Sequence, residues 1–224
     1  MPVLREVSLN TSKKKMEKVS IIIPFKEDRG YLKEAIKSVE NQSYSNIELI
    51  LSQSNQGVSY NLNRGIEKAT GDFVKYLCDD DRLPERSIEF SVAAFKEQGF
   101  QRVVHFIHGN AINFFPDGKT ESWFPSVHEP NLFEMLRNNQ IHGGTLMYKR
   151  SVFDRFGLFN ECLWTGEEYE FNLRILSKGA VIGYCDEFLY EYRRHSGQKS
   201  LGNMARDYQT KRRIAIEDIK NMYR

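Results

Sequence analysis

Three aspartates stand side by side at positions 79–81, directly after the strand-like run Phe73-Val74-Lys75-Tyr76-Leu77-Cys78. Adjacent carboxylates repel one another, and without a cation some are driven toward protonation. Hard oxygen donors suit Mg²⁺ or Mn²⁺, which in turn suits a diphosphate-bearing substrate. The plainer reading is a solvated acidic turn ahead of Pro84. Position favours the first, because ligands of open α/β sheets bind outside the carboxyl ends of the strands. A second acidic pair, Glu167-Glu168, comes after Gly166 where a helical stretch begins. Acidic residues also simply favour a helix N-terminus, so the pair by itself leaves a general base and an electrostatic cap both open. His105 and His108 sit three apart on a strand-like segment, where they point to opposite faces and lack further ligands, which argues against zinc.

The hydrophobic pattern gives the elements that must position these groups. Val19–Phe25 is a continuous apolar run of the kind found in buried parallel strands. Leu32, Ala35, Ile36 and Val39 share one helical face, which predicts a helix over 30–41. Ile47–Leu51 reads as a strand, Val58–Thr70 as a helix closed by Gly71, Asp72–Cys78 as a strand, and Ile88, Val92 and Phe95 as a helix closed near Gly99. This β-α-β-α-β-α order is that of a parallel sheet with crossover helices. The second half is less regular. Val103–Ile107, Ala111–Phe115, Thr145–Lys149 and Val181–Tyr184 read as strands, Asn131–Asn138 and Glu167–Ser177 as helices, and Met204–Tyr223 as an amphipathic tail helix.

Composition sets the bounds. The chain has 224 residues, 40% hydrophobic and 28% charged, with a net charge of +2, which fits a globular domain and not a generic nucleic-acid binder. No apolar run reaches the length of a spanning helix, and the first twenty residues have no apolar signal core, so no transmembrane segment or secretory leader is expected. Cys78, Cys162 and Cys185 are odd in number and widely spaced, which reads as three reduced thiols in a cytoplasmic protein. There is no G-x-x-x-x-G-K-[ST] loop and no G-x-G-x-x-G after the first strand.

Five segments in order resemble the inverting nucleotide-sugar glycosyltransferases of family 2, whose fold is GT-A. They are VSIIIPFKEDRGYLKEAIKSVENQSYSNIELI, VSYNLNRGIEKATGDFVKYLCDDD, GGTLMYKRSVFDRFGLFNE, GEEYEFNLRIL and LYEYRRHSGQKS. The resemblance implies a single α/β GT-A domain over 18–200, with a Rossmann-like, mixed but mostly parallel sheet flanked by helices. Residues 1–17 are then a loose N-terminal segment and 201–224 a helical tail. The short chain is also similar to glycosyltransferases encoded by large algal viruses, which implies a cytoplasmic place in an infected host cell.

The resemblance also implies roles. Pro24, Phe25, Lys26 and Glu27 line the nucleotide pocket, and Asn63 belongs to the segment closing over the nucleoside. Asp79 and Asp81 correspond to the D-x-D pair contacting ribose and metal, with Asp80 as the metal ligand if the register moves by one. His195 approaches metal and diphosphate, and Arg194 and Lys199 add donors there. Glu168 is the base that deprotonates the acceptor hydroxyl, with Glu167 as the alternate; adjacent helix-start residues diverge by about 100°, so one of the two should face the pocket. Trp164 and Trp123 are candidates for stacking on a sugar, and His142, beside Gly143-Gly144, for bordering the acceptor. Where the family commonly has aspartates after the second strand, this chain has Ser52, Gln53, Ser54, Asn55 and Gln56, with Gln53 able to bond a uracil edge; Leu62 replaces a frequent arginine. The implied reaction is metal-dependent transfer, with Mn²⁺ or Mg²⁺, from a nucleotide-sugar donor (UDP favoured) to a glycan or glycoconjugate hydroxyl. A nucleotidyltransferase and a non-catalytic nucleotide- or sugar-binding module are the rival readings.

Overall fold

The computed structural model describes residues 16–195, 198 and 206–224. Its centre is β1 (Val19–Phe25), parallel to both β2 (Ile47–Gln53) and β3 (Phe73–Tyr76). A strand flanked on both sides and covered on both faces can be apolar throughout, and Val19, Ile21, Ile22 and Ile23 are fully buried. β4 (Phe106–Phe114), β5 (Thr120–Trp123), β6 (Met147–Lys149) and β7 (Ile182–Arg193) complete the sheet. The order is β2-β1-β3-β6-β4-β5, with β7 on β4. β6 runs antiparallel to β3 and β4, β5 antiparallel to β4, and β7 parallel to β4. Strands β1 to β4 and β7 therefore share one direction, and the sheet is mixed but mostly parallel.

Side chains alternate along the strands and divide the core in two. Ile22, Val74, Phe106 and Tyr148 enter one cluster; Ile21, Ile23, Phe73, Ile107 and Met147 enter the other. The second face is covered by α1 (Leu32–Glu40), through Ala35 and Val39, and by α3 (Ser87–Gly99), through Ile88, Val92 and Phe95. The first face carries α2 (Val58–Lys68), α4 (Leu132–Arg137), α5 (Ser151–Phe156), α6 (Glu167–Ser177) and α7 (Arg206–Asn221), with Leu62, Met135, Phe153, Phe171 and Ile219 inward. The tail helix thus contributes a core residue to the domain.

The regular half matches its sequence pattern within a few residues, while the second half departs from it. The two strands expected over 103–107 and 111–115 are one strand, β4, whose interruption at Gly109-Asn110 is a register shift against β7. β7 runs on to Arg193 instead of ending at Tyr184, because Asp186-Glu187 are an exposed irregularity inside the strand: Cys185 pairs Gly109 and the next partner, of Asn110, is Phe188. The strand expected over Thr145–Lys149 is a 3-10 turn, Gly143–Thr145, and then the short β6. Helix α5 has no counterpart in the sequence pattern. His105 and His108 serve the fold: His105 Nδ1 accepts from Val181 N at 3.0 Å, and His108 is buried against the His128 carbonyl. Among the described residues no helix is long and apolar enough to cross a membrane.

Candidate active site

A cleft of about 660 Å³ opens at the carboxyl ends of β1 and β3. Its first wall is the end of β1, Pro24, Phe25, Lys26 and Glu27, with Arg29 beyond. The acidic run Asp79, Asp80 and Asp81 forms the floor after β3. The opposite wall comes from the second half: His142, Gly143 and Gly144 before β6, Thr165–Glu168 at the start of α6, and Tyr190, Tyr192 and Arg194 at the end of β7.

The three aspartates occupy three environments. Asp81 is 1% exposed, accepts from Tyr190 Oη at 2.7 Å and from the Arg193 backbone N–H at 2.7 Å, and is pushed up to about 8 by burial and then by Asp80. Tyr190 Oη also accepts from the Cys78 N–H at 3.1 Å, so one hydroxyl fixes both ends of the turn. Asp80 Oδ2 accepts from Arg29 at 3.0 Å and lies 3.2 Å from His195 Nε2, while Asp79 Oδ1 accepts from Arg29 at 3.1 Å. Burial raises Asp79, opposed by Arg29. Cys78, Asp80 and Asp81 offer donor atoms that all lie within 4.8 Å of one another. Burial, and after it Asp81 and Asp80, raises the Cys78 thiol, so the group's ligand character is that of its carboxylates. Two crowded, partly desolvated carboxylates fit a hard divalent cation. Of the expected Asp79–Asp81 pair, Asp81 also accepts from Tyr190 and the β7 backbone, and Asp80 is the one that meets His195.

Across the cleft, α6 begins at Gly166, a left-handed residue with φ +74° over which Ile216 and Ile219 of α7 pack so closely that a Cβ would lie 2.7 Å from Ile216 Cδ1. Both Glu167 and Glu168 line the cleft, where one was expected. Glu168 reaches the Gly143 backbone: a Cβ at Gly143 would fall 2.9 Å from Glu168 Cγ and 2.8 Å from Tyr76 Oη, and one at Gly144 2.4 Å from the Tyr190 ring. The paired glycines are therefore what let these side chains close on the turn. Burial, then the Glu168 charge, holds Tyr76 well above its usual range, so it stays a hydroxyl. Glu170, also in the first turn, is buried and pairs with Arg174 at 2.9 Å and with Tyr223.

His142 lines the cleft inside a ring of Trp123, Tyr190 and Tyr192, with centroids at 5.5, 5.7 and 5.2 Å. Burial, then Lys75 and Arg194, drives it down to about 4, so the imidazole is neutral at physiological pH. Its Nδ1 and the Nε of Arg194 are buried without a partner. Unpaired buried polar atoms facing a cleft are costly unless a ligand or water meets them. Trp123 thus packs on His142, and Trp164 is half-exposed outside the cleft lining.

Two further residues stand apart from the cleft. Asn63 is buried and clamps the loop before α6, donating to the Phe159 carbonyl at 2.9 Å and to Glu161 at 2.7 Å and accepting from Phe159 N–H at 2.9 Å. Asn61, two positions earlier and so on the opposite side of the helix, is the one turned to the cleft, donating to the carbonyls of Phe25 and Ser54, each at 3.1 Å. Gln53 is exposed and donates to the Lys26 carbonyl at 3.2 Å, outside the lining. Lys199 lies outside the described residues. Arg29, Asn61, Tyr76 and Tyr190 join the site without a sequence motif; only Tyr76 carries a hint, as the last residue of the strand feeding the aspartates.

The family model described as Glycosyl transferase family 2 matches residues 51–157. An uncharacterized glycosyltransferase of Rickettsia conorii is 28% identical over 221 residues, covering 83% of this chain and 36% of its own length. A GalNAc(5)-diNAcBac-PP-undecaprenol beta-1,3-glucosyltransferase of Campylobacter jejuni is 31% identical over 96 residues, 30% of this chain and 31% of that protein. The crystal structure of S. aureus TarS 1–349 in complex with UDP-GlcNAc superposes with a TM-score of 0.66 at 17% identity, covering 88% of this chain and 65% of that one. The chain thus spans about a third of the length of the Rickettsia relative. Residues 51–157 thus match the glycosyl transferase family 2 model, the relatives it resembles are glycosyltransferases, and the chain has a GT-A-like fold.

Proposed function

We propose that this domain is a divalent-cation-dependent, inverting glycosyltransferase that moves a sugar from a nucleotide diphosphate donor, a UDP-sugar, to a hydroxyl of a glycan or glycoconjugate. The observation that carries the reading is that one cleft joins a crowded carboxylate group on the β1–β3 side to a carboxylate pair at a helix start on the other. The UDP-GlcNAc bound by the similar TarS fold supports the donor class.

In this reading Pro24–Glu27 and Asn61 border the nucleoside. Asp80 and His195, with Asp79, would hold the cation, and Asp81 anchors the turn. When bound, the cation offsets charge developing on the departing diphosphate. Arg194, whose Nε is buried without a partner, donates to that diphosphate, and Lys199 is proposed beside it. Glu168 takes the proton from the acceptor hydroxyl as it attacks the face opposite the leaving group. Glu167 is the alternate, and Tyr76 and the glycine turn hold the carboxylate's surroundings. Neutral His142 offers a hydrogen bond to a sugar hydroxyl.

The test is a panel of UDP-, GDP- and dTDP-sugars with and without Mn²⁺, read by nucleotide diphosphate release and by NMR of the anomeric product. Cation-stimulated UDP release with an inverted anomeric centre is expected. Pyrophosphate release from a nucleoside triphosphate, or retained configuration, contradicts the reading.

A further inference from the structure

The carboxylates on the cation side already carry a positive partner from this chain. One guanidinium nitrogen of Arg29, Nη2, reaches Asp79 Oδ1 at 3.1 Å and Asp80 Oδ2 at 3.0 Å. That same Asp80 oxygen is the one 3.2 Å from His195 Nε2, and Asp80 belongs to the Cys78–Asp80–Asp81 donor group. Asp81 in that group is already engaged, since Tyr190 and the Arg193 N–H each donate to one of its oxygens. A divalent cation and Arg29 therefore compete for the same carboxylates. We propose that Arg29 is a displaceable counter-ion: cation entry at Asp80 drives its guanidinium off Asp79 and Asp80 and hands it to the donor's diphosphate.

Three features separate Arg29 from Arg82 and Arg193. First, its commitments differ. Arg82 is pinned by Glu34 and Glu191, each at 2.8 Å, and Arg193 by Glu34 at 2.5 Å and the Asp80 carbonyl at 2.7 Å. The anionic partners of Arg29 among the described residues are Asp79 and Asp80 alone, so a cation that takes those charges leaves it with none. Second, its backbone is held while its head is reachable: Asp28 Oδ1 accepts from Gly30 N–H at 2.7 Å, closing the turn after β1, and the Arg29 side chain is 40% exposed. Third, Arg29 lines the cleft with Lys26 and Glu27, so a guanidinium released from the aspartates stays beside the cleft. A planar fork of N–H donors suits phosphate oxygens as well as carboxylates. Like charges repel, so cation and guanidinium cannot both stay on one carboxylate, whereas the diphosphate brings the negative charge that accepts both.

The inference rests on the cation reading proposed above, and its test separates the two. Mn²⁺ binding is measured by the EPR signal of free Mn²⁺, for the whole chain and for Arg29→Gln, without nucleotide; UDP binding is then measured by calorimetry at saturating Mn²⁺. Removing the competitor should tighten Mn²⁺ about 5-fold or more and weaken UDP by a similar factor. Arg29→Lys, which keeps the charge without the fork, should restore Mn²⁺ affinity to near the wild-type value and UDP affinity only in part. A merely structural role for Arg29 does not move the two affinities in opposite directions. Equal or weaker Mn²⁺ binding by Arg29→Gln overturns the counter-ion role, and tighter Mn²⁺ with unchanged UDP overturns the hand-over. If neither protein binds Mn²⁺, with or without UDP, the cation reading fails and this inference with it.

Discussion

The two walls of the cleft are built by different means. On the β1–β3 wall, regular geometry is enough: parallel strands end at one edge, and the segments attached to those ends, Pro24–Glu27 and Asp79–Asp81, are delivered there together. On the opposite wall the site residues come from a 3-10 turn, a helix start and the end of a bulged strand. Side chains fix these pieces. Lys75, fully buried on β3, donates through Nζ to the Gly144 carbonyl at 2.8 Å. Asn63 on α2 holds the Phe159–Glu161 loop. Tyr190 on β7 ties Cys78 to Asp81, and Ile219 of α7 packs over Gly166. The first wall is set by backbone topology, and the second by individual side chains reaching across the molecule. Loss of one such clamp should therefore be felt mainly on the second wall.

Three variants test that contrast, in falling order of expected effect. Ile219→Ala removes a side chain that is 1% exposed in the first core. It should cost ~2–5 kcal/mol by thermal or urea unfolding, and in the folded protein lower kcat while leaving UDP affinity within about twofold. An equal loss of UDP affinity would break the assignment of α7 to the α6 wall. Asn63→Ala strips three hydrogen bonds from a buried loop and should cost ~2–3 kcal/mol. UDP binding by the folded variant should be unchanged; a large UDP defect at full stability would return Asn63 to the nucleoside pocket.

The smallest effect concerns the opposite, amino-terminal end of the strands that carry the first wall. Glu48 accepts from Ser20 at 2.5 Å, from Thr70 N–H at 2.7 Å and from Gly71 N–H at 3.1 Å, and pairs with Lys18 at 2.6 Å. These hydrogen bonds and the Lys18 charge outweigh burial and hold its carboxyl down to about 2. The folded value lies below the unfolded one, so the contribution is complete above about pH 4.5 and is lost as pH falls toward 2. Glu48→Gln should be ~1–2 kcal/mol less stable at pH 7, and the gap should close with acidification across that window. A gap that persists at pH 2 would assign the effect to packing instead.

The same contrast decides how much of the molecule is legible in the sequence. The run Val19–Phe25 and the apolar spacing of α1, α2 and α3 make the first wall readable, because regular periodicity encodes topology. The start of α6 at Glu167 is readable too, from an acidic pair after glycine. The length of β7 is not, because Asp186-Glu187 have the composition of a turn and are an exposed irregularity within a strand. Tyr190 lies beyond that irregularity and is hidden with it. The sequence points to Asn63 for the cleft where the structure puts Asn61: two residues on a helix face opposite ways, and only the packing of α2 says which faces what. Arg29 belongs to a polar loop with no periodicity, so its contacts with Asp79 and Asp80, 50 and 51 positions away, leave no trace in local pattern.

In the proposed mechanism labour is divided: the aspartate wall holds the cation, and the α6 wall supplies the base. The most direct measurement compares Asp80→Asn with Glu168→Gln for Mn²⁺-dependent UDP affinity and for sugar transfer. Asp80→Asn should lose both. Glu168→Gln should keep UDP affinity within about twofold while transfer falls by ~10²–10⁴-fold. Transfer retained by Glu168→Gln, or UDP affinity lost as fully as in Asp80→Asn, would contradict it.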